Sequence, residues 1–290
     1  MKTHRHNLRR SISALLLAAA SQLTAANDNA TASDNSLPDP NSENGGFLEL
    51  ALGVGHVDFA RVDEIEGLRS NPGDKLFLNI HGAYRYKRFF VEATRDGFDG
   101  LNLGATLWQN DKWSVDFLAA NIGGNKNGDD DSAAVSEAEK NIALIDRDTF
   151  FAGAGARITR YFGNDKIAQF RLLSDYYESN GALWSARLGK QWQHGNWSYT
   201  GFLGARYNTA KLNNYLYAVS ASEATQLFPE YKAGNTVSLE AEIGVSYPLS
   251  RKLVFRSDLS LVRYQREIYN SPLLDDKQDA KFTAGISYVF

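Results

Sequence analysis

The chain has 290 residues, 43% hydrophobic and 22% charged, with a net charge of -3 and no cysteine. This excludes collagenous and disordered chains, disulfide frameworks and thiolate metal centres, and the basic surface of a nucleic-acid binder. Mean hydropathy is -0.38, and there is no apolar run of about 18 residues to cross a membrane as a helix.

Residues 1–26 begin with Lys2, Arg5, Arg9 and Arg10, continue through the apolar stretch Ile12 to Ala20, and end in the small residues Thr24, Ala25 and Ala26. This order of charge, short apolar core and small residues is that of a signal peptide, with cleavage expected after Ala25 or Ala26. Its removal leaves 27 Lys+Arg against 34 Asp+Glu. An exported chain without cysteine suits the envelope of a Gram-negative bacterium. Residues 27–46, rich in Asn, Asp, Ser, Ala and Pro, read as a disordered lead-in.

From residue 47 to 290 the hydrophobic period is two. Twelve segments show it: 47–58, 74–86, 88–95, 99–109, 112–121, 149–161, 166–176, 183–193, 195–209, 235–248, 251–264 and 280–290. Many are longer than the usual soluble strand of about 5–6 residues and match the 9–11 residues or so that a tilted membrane strand needs. One face of each is apolar, as with Leu48, Leu50, Leu52 and Val54 or Leu76, Leu78 and Ile80. The other face carries full charges: Glu49, His81, Arg85, Glu92, Asp116, Arg157, Arg171, Arg187, Arg206, Glu240, Glu242, Arg256 and Asp258. In a soluble barrel the apolar face points inward; here the charged face is expected to line a lumen and the apolar face to meet lipid.

The connections sort by parity. Short ones at Lys87, Asn110–Asp111, Gly163–Asp165, His194–Gly195 and Leu249–Ser250 interleave with longer ones at 59–73, 96–98, 122–148, 177–182, 210–234 and 265–279. Outer-membrane barrels have this order, with short periplasmic turns and long outer loops. Aromatic residues flank the short turns, as in Trp108/Trp113 and Trp192/Trp197, where a ring with a polar tip suits the headgroup level. The fold expected is therefore all-β: a transmembrane antiparallel β-barrel of about twelve strands, of outer-membrane type.

Three stretches carry a family resemblance. The first is Tyr215-Leu216-Tyr217-Ala218-Val219-Ser220, then Glu223-Ala224 and Tyr231-Lys232-Ala233-Gly234. The second is Ser271-Pro272-Leu273-Leu274-Asp275, and the third is Gly285-Ile286-Ser287-Tyr288-Val289-Phe290. They resemble the MltA-interacting protein / outer membrane protein V (MipA/OmpV) family, best over residues 205–290. The alternation of Phe282, Ile286, Tyr288 and Phe290 is similar to the C-terminal signal read by the barrel-assembly machinery. The resemblance implies a non-enzymatic barrel in outer-membrane lipid and lipopolysaccharide, linked to scaffolding of a lytic murein transglycosylase with a murein synthase. Porin-like and adhesive members are the alternatives it offers.

The residues point to no catalysis, cofactor or metal. After export the histidines are His56, His81 and His194, none in a ligand spacing. His56 lies on the lipid-facing parity, where a lipase histidine could stand, but no serine partner is recognisable. Asp129, Asp130 and Asp131 form an oxygen-rich run without the spacing of an EF-hand. The loop 210–234, with Tyr215, Leu216, Tyr217, Val219, Leu227 and Phe228, is too apolar for a solvated loop. It is expected to fold inward or to pack over the barrel mouth, with a short helix at Ser222 to Leu227, a surface for adhesion being the competing reading. The lumen charges are expected either to line a water-filled pore or to form a salt-bridged plug.

Overall fold

The computed structural model describes residues 44–58, 73–93, 101–122, 151–176, 180–274 and 276–290. The segment expected to direct export, most of the lead-in and the Asp129–Asp131 run lie outside them. The strands are β1 (Asn44–Asp58), β2 (Gly73–Tyr86), β3 (Phe89–Ala93), β4 (Leu101–Asn110), β5 (Trp113–Ile122) and β6 (Phe151–Phe162). They continue as β7 (Lys166–Asp175), β8 (Ala182–His194), β9 (Trp197–Asn208), β10 (Thr236–Pro248), β11 (Leu253–Arg263) and β12 (Gln278–Val289). Each pairs antiparallel with its neighbours in sequence, and β1 pairs with β12 to close the barrel. β1 opens at Asn44, three residues ahead of the expected barrel start, because Asn44, Gly45 and Gly46 pair with Tyr86, Arg85 and Tyr84.

Burial is inverted relative to a soluble barrel. Leu52, Leu76, Leu78, Leu188 and Leu203 are 58–75% exposed, whereas Glu49, Asp116, Arg171 and Arg256 are 2–3% exposed. Successive side chains of a strand point to opposite faces, so the apolar set clothes the outside and the charged set is enclosed. Only lipid makes such an outer surface favourable, and only a closed sheet leaves lipid no unpaired strand edge.

The short turns are closed locally. Asn110 Oδ1 accepts from the Lys112 and Trp113 amides, each at 2.9 Å, an Asx-turn that needs no tertiary support. Ser250 Oγ accepts from the Leu253 amide at 3.1 Å. In β4 the register shifts between Thr106 and Trp108. This bulge leaves Leu107 and Trp108 both facing out, 60% and 53% exposed, an irregularity that strict alternation hides. Exposed rings gather near the short turns: Trp192 stacks on Tyr199 with centroids 5.6 Å apart, and Trp197 meets Tyr247 at 4.8 Å.

Among the described residues, two segments between strands are helical: α1 (Ala210–Tyr217) and α2 (Arg266–Tyr269). The helix expected at Ser222 to Leu227 is absent. There the Ser220 amide and hydroxyl both donate to Glu223 Oε2, at 2.8 and 2.6 Å, closing a turn over 221–223. Helix forms earlier instead, where Thr209 caps it by accepting from the Leu212 amide.

The closing seam is built on a glycine pair. Gly53 stands opposite Gly285, and a Cβ at Gly285 would lie 2.6 Å from the Leu52 carbonyl oxygen and 2.8 Å from Gly53 Cα. Gly285→Val should therefore block closure and abolish the fast-migrating folded band of unheated protein in gels. Gly201→Ala, where the nearest heavy atom is 3.5 Å away, should retain it.

Candidate functional site

All thirteen charged positions picked out by alternation lie on the lumen parity of the strands, buried or half-buried. They assemble into separate groups rather than one ring. At the seam, Arg256 Nε donates to Glu49 Oε2 at 2.7 Å and Arg256 Nη2 to Glu49 Oε1, joining residues 207 apart in sequence. His81 Nδ1 lies 4.0 Å from the same carboxylate, and its ring meets the Phe47 edge at 5.2 Å.

A second group centres on Arg157. Its Nη1 donates to Glu92 and its Nε to Asp116 Oδ2 at 3.0 Å. The carboxylates are completed by uncharged neighbours. Asn102 donates to Glu92 at 3.2 Å, while Thr106 and Ser114 donate to Asp116 at 2.8 and 2.9 Å. Arg85 donates to Thr106 at 2.8 Å. Arg85 and Arg157 both lie over the Phe90 ring, at 5.4 and 4.9 Å. The third group runs over β6 to β10. Arg206 pairs with Glu240 at 2.9 Å, Arg187 donates to Gln169 at 3.0 Å, Gln169 donates to Thr159 at 3.2 Å, and Arg171 donates to Ser185 at 3.0 Å. Asp258 accepts from Thr283 at 3.4 Å. Glu242 sits half-buried two residues beyond Glu240.

The charges are buried at bearable cost because they are paired or hydrogen-bonded, and around Arg157, Arg171 and Arg187 uncharged side chains add hydrogen bonds; a charge enclosed alone would be prohibitive. The finishing residues Asn102, Thr106, Ser114, Thr159, Gln169 and Ser185 are 2–9% exposed. In the sequence these are ordinary polar strand residues, and only their parity, which is that of the charges, marks them.

Towards the long loops the lumen turns apolar. Phe90, Leu118, Ala120, Phe151, Leu173 and Leu183 form one buried cluster with Leu212 of α1, and Tyr215 and Leu216 pack against it. Leu118 and Leu173 share the parity of Asp116 and Arg171; that lapse in the polar face was the legible sign that something plugs this end. Asn213, wholly buried, fixes α1 by donating to the Gly234 carbonyl at 2.7 Å and to Thr236 at 2.9 Å. Asn214 donates to the Ala233 carbonyl at 2.7 Å and accepts from the Ala233 amide at 2.9 Å.

Over this plug lies a second apolar cluster, Val219, Phe228, Ile268, Leu273 and Leu274, with Tyr217, Tyr231 and Tyr264 packed against it. It binds the β9–β10 connection to the β11–β12 connection. Ser271 Oγ donates to the Tyr217 carbonyl at 2.7 Å, the Tyr231 hydroxyl to the Glu267 carbonyl at 2.7 Å, and Val219 bridges to Tyr231. Of the residues that carry the family resemblance, Tyr217, Tyr231 and Ser271 thus meet in one cap although 54 positions separate Tyr217 from Ser271, while Tyr215 packs on the plug below and Gly234 accepts from Asn213 of α1; Ser220 and Pro272 lie in the same two connections. The third stretch runs to the other end of the barrel, where the Phe290 amide donates to the Leu48 carbonyl at 3.0 Å and the Phe290 ring meets Tyr288 at 4.8 Å.

Of the histidines, His56 and His194 are exposed on β1 and at the end of β8, apart from His81 in the lumen. Among the described residues no group of three or more His, Asp or Glu side chains is placed to hold a metal ion.

Arg157→Met leaves Glu92 and Asp116 enclosed without their cation and should cost about 3–5 kcal/mol, read from urea unfolding in lipid vesicles. Lys232→Met, at an exposed pair with Glu230, should leave the midpoint unchanged. In the cap, burial, then Tyr217 and Asp279, hold the Tyr264 phenol well above its ordinary range, and burial and Glu267 raise Tyr231. A phenol raised in the folded state stabilises fully below its unfolded value near pH 10, and that contribution is lost as pH climbs through the folded value. Protease nicking of the cap should accordingly rise above about pH 10, and Tyr231→Phe with Tyr264→Phe should flatten that dependence.

Comparison with known proteins follows the same lines. The family model for MltA-interacting protein MipA matches residues 65–290. YiaT of Escherichia coli K12, named as an outer membrane protein, is 26% identical over 113 residues, 39% of this chain and 46% of that protein. Outer membrane protein Omp26La of Vibrio anguillarum is 27% identical over 89 residues, 31% of this chain and 35% of that protein. The matched stretches therefore span less than half of either relative. Among solved structures, the NanC porin aligns with a TM-score of 0.42 at 8% identity, covering 82% of this chain and 98% of that one. With a closed twelve-stranded wall, an apolar exterior and the family model matched over residues 65–290, the chain is an outer-membrane β-barrel protein that belongs to the MltA-interacting protein MipA family.

Proposed function

We propose that this barrel acts through its surfaces rather than through its lumen, as a non-enzymatic scaffold that holds a murein-active enzyme at the outer membrane. The observation that carries this reading is the filled interior: the Glu49–Arg256 and Arg157–Glu92–Asp116 groups are buried and paired, and Leu212 of α1 is 1% exposed at the mouth. Among the described residues, charge pairs and an apolar plug narrow the path that a solute would need. The family description names the lytic murein enzyme MltA as the partner; a murein synthase is the second partner in this reading. Export by the N-terminal segment, insertion by the barrel-assembly machinery at Phe282, Ile286, Tyr288 and Phe290, and lipopolysaccharide around the outer half of the wall belong to the same proposal.

A second reading, a gated channel for small polar solutes, draws on one feature. Arg171 of β7 and Arg187 of β8 pair in part with Ser185 and Gln169, groups that water could replace if α1 withdrew. Planar-bilayer recording separates the two. The scaffold reading expects no discrete conductance steps from the native barrel, and retention of a lytic murein transglycosylase on the immobilised protein in mild detergent. Steps in salt that change with Arg187→Ala, together with no enzyme retained, would replace the scaffold by the channel.

A further inference from the structure

The outer wall carries a groove that the lumen and cap do not account for. It has a volume of about 660 Å³ and reaches from the end of β6 across β7 to β11, with Leu188, Leu203, Ile243 and Leu261 as walls. Its floor is low because two outward positions are small, Gly201 and Ala241. A side chain larger than Ala at Gly201 would enter the groove, since a Cβ there meets nothing nearer than the Trp192 ring at 3.5 Å and the Glu242 carbonyl at 3.9 Å. The volume is of the order of small-ligand sites, and its lining is almost wholly apolar.

One end of the groove is of a different kind. Lys166 and Lys190 line it there and stand directly opposite one another on β7 and β8. Both are exposed on the lipid-facing parity. Like charges directly opposed across a pair of strands destabilise it, and lysine on the lipid face of a barrel is unfavourable except near the interface. Lys166 lies 3.8 Å from Asp165, both side chains about half exposed, which leaves Lys190 facing a second cation. Lys166 begins β7 directly after the short turn 163–165, so the two ammonium groups sit at the headgroup level of the leaflet that the short turns face. Trp192 stacked on Tyr199 borders the same end.

We infer that this groove binds one glycerophospholipid of the periplasmic leaflet, with its phosphate between Lys166 and Lys190 and one acyl chain laid over Gly201 and Ala241. Charge decides the occupant. Two cations at the interface end call for an anion, the apolar trough calls for a hydrocarbon chain, and a phospholipid joins both in one molecule at that depth. The phosphate converts an unfavourable lysine pair into two charge-assisted contacts.

The test uses the full-length folded barrel, with folding of every variant checked by heat-modifiable migration. Native mass spectrometry with added phosphatidylglycerol should show one retained lipid, and dibrominated phosphatidylglycerol in vesicles should quench tryptophan fluorescence. Lys166→Gln with Lys190→Gln should weaken retention by about tenfold or more. Lys87→Gln with Lys112→Gln, two other exposed basic residues beside short turns, should not. Gly201→Leu should fill the trough and reduce both signals while the lysines stay in place. Equal retention by the Lys166/Lys190 variant and the native chain overturns the proposal, as does equal retention of diacylglycerol, which lacks the phosphate. Preferential retention of lipid A over phosphatidylglycerol would also overturn it, since that places the site in the other leaflet.

Discussion

Lipid offers no hydrogen bond, and that governs this molecule. Every backbone amide and carbonyl in the membrane must find a partner within the chain, so the twelve strands pair all the way round and β1 meets β12. Closure fixes the rest. Side chains that alternate along a closed wall fall into an outer set, which must be apolar, and an inner set freed from that demand. The Gly53–Gly285 pair shows how tightly the seam is drawn: two strands from opposite ends of the chain approach until neither position has room for a side chain.

The inner set then meets a different constraint. Twelve strands enclose a narrow space, and charges placed in it lose water. Here the answer is pairing rather than hydration. Arg157 takes two carboxylates, and Asn102, Thr106 and Ser114 occupy the oxygen sites it leaves. Nearer the outer loops the means changes: Leu118, Leu173 and Leu183 face inward, and α1 is drawn down on them. One barrel is thus stoppered twice, by ion pairs in one stretch and by apolar packing in another.

Alternation carried most of the wall, since a strand in lipid must repeat its apolar residue at every second position. Phe282, Ile286 and Tyr288 alternating with Thr283, Gly285 and Ser287 could be read straight off the chain. Alternation is blind, however, to a residue that breaks it. The bulge at Leu107 turned two successive side chains outward, and no local pattern announces an inserted residue. Nor did it reveal α1, because Asn213 and Asn214 are poor helix formers whose side chains are held largely by Gly234, Thr236 and Ala233, some twenty residues on. The apolar loop was recognised as too greasy for water, yet its helix was placed too late, where Ser220 and Glu223 close a turn instead.

Period, strand length and loop parity by themselves determined a membrane barrel of twelve strands and named the charges that face inward. These features are local, and the physics of lipid leaves one arrangement for them. Which charge meets which was decided only in three dimensions, because Glu49 and Arg256 lie 207 residues apart and are joined by closure of the seam. The same holds for the cap, where Ser271 reaches Tyr217 only once two loops share one mouth. It holds too for the lysine pair on the outer wall, since the stagger of β7 against β8 alone brings Lys166 to Lys190.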